Sequence, residues 1–297
     1  MQPTVDMPRA GGRLEVRDLT VGYGRDRPVI RNFSFDLPEG ESLAIVGESG
    51  CGKSTLLTTL AGLRAPVSGQ VSWAEGNITD LKTSFVWQSL ALFPWKRVRE
   101  NLELPLLLEG RNRYAPAERE HLVAEMLDEL GLTGLEKRFP SELSGGQRQR
   151  LALGRALIAK PEILFMDEPF SALDALLRER LQDVLMSLRR KHPVRLLFVT
   201  HDIAEAVFLA DRILVLGARP SRILACLENP AHTLADEPGL RDRAVNFDMI
   251  RTVHRTLREA ASEGAADGAS VSCDGTGLND LDPVTADDLL KKEEGAC

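Results

Sequence analysis

A glycine-rich loop between a buried strand and a helix sets the strongest limit on the fold of this chain. Residues 42–46 are almost continuously apolar, which predicts a strand covered on both faces, and residues 54–63 predict a helix that ends at Gly62. The loop between them fits the pattern G-x-x-x-x-G-K-[ST], whose backbone N–H groups and helix N-terminus bind phosphate groups. We therefore expect a nucleotide to contact Gly47, Glu48, Ser49, Gly50, Cys51, Gly52, Lys53, Ser54 and Thr55.

Three residues of this phosphate loop (residues 47–55) have separate expected parts. Lys53 is expected to reach the β- and γ-phosphates, and Ser54 is expected to ligate Mg²⁺. Cys51 occupies a free position of the pattern; its thiol could be oxidised, but a tolerated small residue is the favoured interpretation. The alternative for the whole loop is a chance glycine-rich turn, and the strand and helix on either side of it argue against that.

Two adjacent carboxylates follow a second buried strand. Residues 163–166 are apolar and lead into Asp167 and Glu168, at the strand end where ligands bind in open α/β sheets. Asp167 can hold Mg²⁺, usually through water, and Glu168 can orient or deprotonate an attacking water. An Asp-Glu pair alone is usually just solvated. In a chain that also has a phosphate loop, the functional interpretation is favoured.

Elsewhere, strands alternate with helices, which predicts a parallel α/β core. Further strands are expected at residues 195–200 and 213–216, with residues 223–226 as a candidate partner of the latter. Residues 98–160 are expected to be mostly helical, and residues 171–191 and 240–260 are each expected to form one helix. The stretch 73–84 is polar and predicts turns.

A third motif reduces the number of protein families to which the chain could belong. The sequence LSGGQ is formed by Leu143, Ser144, Gly145, Gly146 and Gln147. Four further positions occur with it in the order known from one family, namely Tyr23, Gln88, residues 171–174 (Ser-Ala-Leu-Asp) and His201. With this ordered set, the chain resembles the ATP-binding subunits of ABC transporters over about residues 14–225.

The resemblance implies a fold and a set of roles. The fold would be α/β, a P-loop NTPase (RecA-like) core with an N-terminal antiparallel β-subdomain and an inserted helical subdomain of the ABC ATPase type. Tyr23 would stack on the adenine of ATP, Asp174 would belong to the D-loop, and Gln88 would be a further ligand of Mg²⁺. The catalytic residues would be Glu168, His201, Gln88 and Lys53.

Each of these positions also has an ordinary structural interpretation. Tyr23 could be a half-buried strand aromatic, Gln88 a surface amide, and Asp174 a helix N-cap. A lone histidine such as His201 is more often structural than catalytic. The family interpretation is favoured because the positions occur together.

The family arrangement also implies a dimer. The signature loop (residues 143–147) of one subunit would face the phosphate loop of the other, so that two ATP molecules lie between two copies. Ser144 and Gly146 would contact the γ-phosphate held by the other subunit. Since the chain has one copy of each motif, it would need a homodimer or a similar partner to complete a site.

The segment after Gln88 resembles one importer subfamily. Phe93-Pro94-Trp95 lies within residues 88–102, which in importers help to form the groove for the permease, and it is similar to the L-P-W of nitrate, sulfonate, taurine and bicarbonate importers. Ordinary helical packing is the alternative for Trp95. Trp87, Ser89 and a short stretch before them depart from the usual family pattern and leave the solute open.

We therefore expect an ATPase subunit of an importer for a small anion. It would lie at the cytoplasmic face of the inner membrane, bound to an integral permease and served indirectly by an external solute-binding protein. An exporter or lipid-trafficking complex, a soluble ABC ATPase without a permease, and a regulatory module that works through its tail are the alternatives.

The charge is unevenly distributed along the chain. The formal net charge is -7, and residues 260–297 contain nine acidic and two basic residues, which account for the whole excess. This excess of acidic residues argues against a nucleic-acid partner.

The sequence predicts four regions along the chain. They are a leader at 1–12, an ABC ATPase domain at 13–229 with its helical subdomain at about 89–157, a helical extension at 230–259 and an acidic, disordered tail at 260–297. The four scattered cysteines predict neither a zinc site nor a disulfide framework.

The acidic tail gives the first testable prediction. We expect removal of residues 260–297 to leave the basal rate of ATP hydrolysis almost unchanged, because every predicted site residue lies between Tyr23 and His201. Phosphate release by the full-length and shortened chains measures this. A large change in rate would show that the tail is more than a solvated extension.

Overall fold

The computed structural model describes residues 13–24, 27–73, 76–77, 81–108, 113–217, 223–230, 232, 241 and 244–262. The predicted leader at 1–12 lies outside the described residues, as do most of residues 230–243 and the acidic tail from residue 263 onward.

Strands and helices alternate along the described part of the chain, as the sequence predicts. The strands are β1 (Leu14–Gly22), β2 (Pro28–Leu37), β3 (Ser42–Gly47), β4 (Ser68–Trp73), β5 (Gly76–Asn77), β6 (Thr83–Val86), β7 (Ile163–Asp167), β8 (Arg195–Thr200), β9 (Arg212–Leu216) and β10 (Ile223–Glu228). The α-helices are α1 (Lys53–Leu60), α2 (Val98–Leu108), α3 (Pro116–Glu129), α4 (Gly145–Leu157), α5 (Ala175–Lys191), α6 (Ile203–Leu209) and α7 (Ala244–Ser262), and a 3-10 helix spans Pro140–Glu142.

A six-stranded sheet forms the centre of the molecule, with the strand order β10-β9-β3-β8-β7-β6. The strands from β9 to β6 run parallel, and β10 pairs antiparallel with β9. Every residue of β3, β7 and β8 is buried, which explains their continuous apolar sequences. Because parallel strands end at the same edge, the loops after β3, β6, β7 and β8 meet there.

Alternate side chains of the central sheet pack into two separate hydrophobic cores. In β3, Leu43 and Ile45 belong to the core shared with α1, β1 and β2, whereas Ala44 and Val46 belong to the core shared with the helices α2 to α7. The first core is covered by a four-stranded antiparallel sheet with the order β2-β1-β4-β5. This arrangement confirms the predicted α/β core with an N-terminal antiparallel sheet.

Helices α2, α3 and α4 are inserted between β6 and β7 and pack on one another. Leu106, Met126 and Leu153 are buried in this group. Gly154 lets α4 approach the end of α3, since an added Cβ would lie 2.3 Å from Leu130 Cδ1. The insertion presents the signature loop at the first turn of α4.

Two local predictions were wrong. The stretch 73–84 was predicted to form turns, but β6 begins at Thr83 and pairs with β7. It is short and only half-buried at three of its four positions, so it lacks the apolar run that marks β7. The helix predicted at 171–191 begins only at Ala175, because the side chain of Asp174 caps its first turn.

Helix α7 packs against α6, β9 and β10 and buries Val245, Met249 and Val253. The helix predicted at 240–260 is thus confirmed, with its ends at Ala244 and Ser262. A deletion of the tail is therefore best made after Ser262, where it leaves α7 whole. In the described residues, no helix is both long enough and apolar enough to cross a membrane.

The start of β3 is tied to the start of β9 by a polar contact. The carboxylate of Asp211 accepts hydrogen bonds from Ser42 N at 2.7 Å and from the Ser42 hydroxyl, and lies 2.8 Å from His232 Nδ1. Burial alone would raise the pKa of Asp211, but the contacts with His232 and Ser42 outweigh it and lower the pKa to about 2. The ionised carboxylate therefore stabilises the fold.

This contact gives a second prediction. Replacing Asp211→Asn should lower the free energy of unfolding at pH 7 by about 1.5 kcal/mol, because charge-assisted hydrogen bonds are lost. Since the pKa of the folded state lies below that of the unfolded state, the stabilisation is present above about pH 4 and is lost as the pH falls towards 2. Urea denaturation at several pH values measures the difference, with Asp128→Asn on an exposed helical position as the matched control. A difference that stays constant down to pH 2.5 would contradict the assignment.

Candidate functional site

The phosphate loop joins β3 to α1 at the carboxyl edge of the central sheet. Gly50 and Gly52 have φ values of 77° and 101°, in the left-handed region that glycine adopts readily. An added Cβ on Gly52 would lie 2.1 Å from Val29 Cγ1, so this position also needs the small residue for space. Gly52 is the N-cap of α1 and no side chain caps this end, which suits the binding of an anion by the first turn.

Lys53 lies under the loop and is 4% exposed. Its Nζ donates hydrogen bonds to Gly47 O at 2.9 Å and Glu48 O at 3.0 Å, and it lies 3.9 Å from Glu168 Oε1. The ammonium group is therefore held inside the curve of the loop, where a bound phosphate would meet it.

Ser54 and Asp167 meet at the head of α1 and the end of β7. The Ser54 hydroxyl donates to Asp167 Oδ1 at 2.8 Å. Burial raises the pKa of Asp167, the hydrogen bond from Ser54 lowers it, and the neighbouring charge of Glu168 raises it again, so that the net pKa is higher than usual. These are hard oxygen donors of the kind that Mg²⁺ prefers.

Such a cation would have few protein ligands among the described residues. In the described residues, no group of three or more His, Cys, Asp or Glu side chains could hold a metal. Mg²⁺ usually keeps several waters and binds one or two protein groups together with substrate phosphates. The pair Ser54 and Asp167 fits that pattern.

Glu168 is held between two other site residues. Its Oε2 lies 3.1 Å from His201 Nδ1, on the side away from Lys53. The backbone of Glu168 has a φ of 42°, unusual for a residue with a side chain, and its N–H donates to Val199 O at 3.0 Å. The strand pair β7 and β8 therefore brings Glu168 and His201 together, as the sequence predicts for a shared site.

Gln88 lies at the turn after β6, next to the D-loop (residues 171–174). Its Nε2 is 3.4 Å from Ser171 Oγ, and Ser171 in turn donates to Glu168 O at 3.0 Å. The described contact of Gln88 is thus with the D-loop, and its part in holding Mg²⁺ stays a prediction. Asp174, at the other end of the D-loop, accepts a hydrogen bond from Leu177 N and caps α5.

The signature loop ends in a capping box. Ser144 Oγ accepts from Gln147 N at 3.3 Å, and Gln147 Oε1 accepts from Ser144 N at 2.9 Å. Ser144 is exposed and Gly145 is half-exposed. Gly146 is buried against α5, where an added Cβ would lie 2.8 Å from Leu177 Cδ1. An exposed N-terminal turn with glycines is open to an anion presented from outside.

Tyr23 stands beside the first turn of α1. Its ring is 69% exposed, its hydroxyl lies 3.4 Å from Thr55 Oγ1, and the Arg64 guanidinium lies 4.8 Å from the ring centre. The ring is therefore held near the phosphate loop, with enough free surface to stack on a base.

Two side chains that belong to none of the predicted motifs, Arg155 and Asn101, hold the segment after Gln88. Arg155 of α4 donates to Leu90 O at 2.9 Å and Ala91 O at 2.7 Å. Buried Asn101 accepts from Phe93 N and donates to Lys96 O. These contacts join positions up to 65 residues apart and have no local sequence signal. They leave the side chain of Trp95 71% exposed.

A family model for ABC transporters matches residues 30–171. The chain is 44% identical over 213 residues to the aliphatic sulfonates import ATP-binding protein SsuB of Bacillus licheniformis, which covers 71% of this chain and 81% of that protein. It is 45% identical over 204 residues to the protein SsuB 2 of the same description from Rhodococcus jostii, covering 68% and 78%.

Solved structures agree with the sequence relatives. The ATP-binding cassette MJ0796, a dimer in a post-hydrolysis state with ADP and Pi, aligns with a TM-score of 0.62 and 30% identity over 72% of this chain and 98% of that one. The protein cbiO1 from Clostridium perfringens, part of an ABC transporter complex, aligns with a TM-score of 0.65 and 25% identity over 82% and 97%. The α/β fold is therefore that of an ABC ATPase cassette. With its phosphate loop, signature and Glu168 in the expected order, the chain belongs to the ABC transporter family as one of the ATP-binding subunits whose ATP hydrolysis is coupled to transport.

Proposed function

We propose that this ATPase energises the import of an aliphatic sulfonate, or a related small anion, through a membrane permease. The observation that carries the hydrolytic part is the carboxylate of Glu168, held between Lys53 and His201 beside the pair Ser54 and Asp167. The names of the sulfonate-import relatives support the direction of transport and the class of solute.

The residues around the phosphate loop bind the nucleotide. Tyr23 stacks on the adenine, and the N–H groups of the phosphate loop and Lys53 hold the phosphates. Ser54 and Asp167 would hold Mg²⁺, with Gln88 as a further ligand. When bound, Mg²⁺ neutralises charge on the phosphate oxygens.

ATP hydrolysis needs an attacking water, a group that accepts the proton of this water, and positive charge that stabilises the transferred phosphoryl group. Glu168 accepts the proton of the attacking water at its carboxylate, and His201 Nδ1 keeps that carboxylate in position. Lys53 stabilises the negative charge that develops on the transferred phosphoryl group. Positioning and electrostatics are enough for this chemistry, because phosphoryl transfer asks for no covalent intermediate on the protein.

The complete site needs a second copy of the chain. Ser144 and Gly146, at the first turn of α4, would contact the γ-phosphate of an ATP held by another subunit, and the exposure of Ser144 supports this. The dimeric state of the MJ0796 cassette supports a homodimer of this kind. Asp174 and its D-loop would lie at the same interface.

The permease would dock on the segment 88–102. Trp95 exposes a large aromatic surface there, and Leu107 and Leu108 at the end of α2 are exposed as well. A surface of this kind suits a helix presented by a membrane protein. Docking would hold the chain at the cytoplasmic face of the inner membrane, with an external solute-binding protein acting on the other side.

Glu168→Gln tests the hydrolytic assignment. The amide keeps the shape but cannot accept the proton, so we expect ATP binding to persist and kcat to fall about 100-fold or more. Phosphate release and binding of a fluorescent ATP analogue measure the two properties. The matched control is Glu179→Gln, on an exposed position of α5, which should behave like the wild type. Hydrolysis at the wild-type rate by Glu168→Gln would refute the assignment.

Uptake assays test the transport assignment. The host strain lacking this chain should lose growth on, and uptake of, alkanesulfonates, and the wild-type chain but not Glu168→Gln should restore both. Taurine, nitrate and bicarbonate serve as comparison solutes. If the strain lost the uptake of only one of these comparison solutes, that solute would take the place of the sulfonate as the proposed substrate. Unchanged uptake of all four, or a defect in export alone, would contradict the proposal of an importer for this class of anion.

A further inference from the structure

We infer that Arg178 is a positioning residue that joins the D-loop to the switch loop (residues 200–202) and so keeps His201 beside Glu168. The inference rests on the proposed hydrolysis at Glu168. Arg178 lies on the first turn of α5, outside the nucleotide-binding and signature motifs, and its described side-chain hydrogen bonds are to Leu173 and Asp202.

The guanidinium of Arg178 contacts both loops at once. Its Nη2 donates to Leu173 O, within the D-loop, at 3.2 Å. Its Nη1 forms a hydrogen-bonded ion pair with Asp202 Oδ2. The planar fork of an arginine can make two such bonds in fixed directions, which a lysine ammonium on its flexible stem cannot reproduce.

Asp202 passes this restraint to His201. Its other carboxylate oxygen accepts from Glu205 N at 3.2 Å and caps α6, and its backbone N–H donates to Thr200 Oγ1 at 3.0 Å. The residue between Thr200 and Asp202 is His201. Because both neighbours of His201 are hydrogen-bonded, its backbone has few conformations left. In the conformation observed, His201 Nδ1 lies 3.1 Å from Glu168 Oε2.

The charges around this contact favour the ion pair. Glu205 lies behind the switch loop and is 3% exposed, and burial, with a smaller contribution from the charge of Asp202, raises its pKa to about 8. At pH 7 the carboxyl of Glu205 is therefore mostly protonated. The carboxylate that contacts the guanidinium of Arg178 is that of Asp202.

The first turn of α5 also contacts the signature loop. Leu177, next to Arg178 in the chain, packs against Gly146 so closely that an added Cβ would meet its Cδ1 at 2.8 Å. One turn of helix thus touches the signature loop through Leu177 and the switch loop through Arg178. A shift of α5 would move both loops together.

Steady-state kinetics of the full-length chain test the inference. We expect Arg178→Ala to lower kcat about tenfold or more while the KM for ATP changes less than about threefold, because misplacing a catalytic group slows the reaction without removing a phosphate contact. Arg178→Lys should recover part of kcat, since an ammonium can reach Asp202 or Leu173 O but not both in the fork geometry. Arg180→Ala, on an exposed position of the same helix, is the matched control and should equal the wild type.

A double variant separates positioning from a loss of folding. In single-turnover phosphate release, Arg178→Ala combined with His201→Ala should be no slower than His201→Ala alone, because Arg178 acts through His201. Independent, multiplicative losses would overturn the inference, as would an unchanged kcat in Arg178→Ala. A fall in activity that follows a fall in melting temperature, and is not relieved by Arg178→Lys, would overturn it too. An inactive wild-type chain would instead contradict the proposed ATPase activity, and the inference with it.

Discussion

The site depends on the position of one carboxylate, that of Glu168. Glu168 follows the buried strand β7, and its two oxygens face Lys53 from the loop after β3 and His201 from the loop after β8. These three side chains come from distant parts of the sequence. They meet because β3, β8 and β7 pair in parallel, which places the carboxyl ends of the three strands at one edge of the sheet. Any change that slides one of these strands would separate the carboxylate from the groups that position it.

The register of those strands is fixed by burial on both faces. Alternate residues enter two different cores, one under the antiparallel sheet with α1 and one under the helices. A slip by one residue would exchange the two sets of side chains and leave neither core well packed. The polar contact between Asp211 and Ser42 fixes the start of β3 in the same way, by hydrogen bonds that only one register satisfies. The stability of the fold and the geometry of the site therefore have a common cause.

Much of the site was predictable because its residues lie in local motifs. A glycine loop after an apolar strand, or two carboxylates after another, can be read from neighbours in the chain. The start of α5 could have been found by giving Asp174 its capping role. Strand β6 was missed because it is short and half-buried. Arg178 and Arg155 were missed for a different reason. Asp202 lies 24 residues from Arg178, and the carbonyl groups of Leu90 and Ala91 lie about 65 residues from Arg155, so no local motif marks these contacts.

We propose that the carboxyl edge of the sheet forms one half of a cation-dependent ATPase site that a second copy completes. Phosphate release from ATP by the full-length chain, measured over a range of chain concentrations with Mg²⁺ and with a chelator, tests it most directly. We expect hydrolysis only with the divalent cation, and a rate per chain that rises with concentration until the dimer is populated. A rate per chain that is independent of concentration for a monomeric chain, or hydrolysis that persists in the chelator, would contradict it.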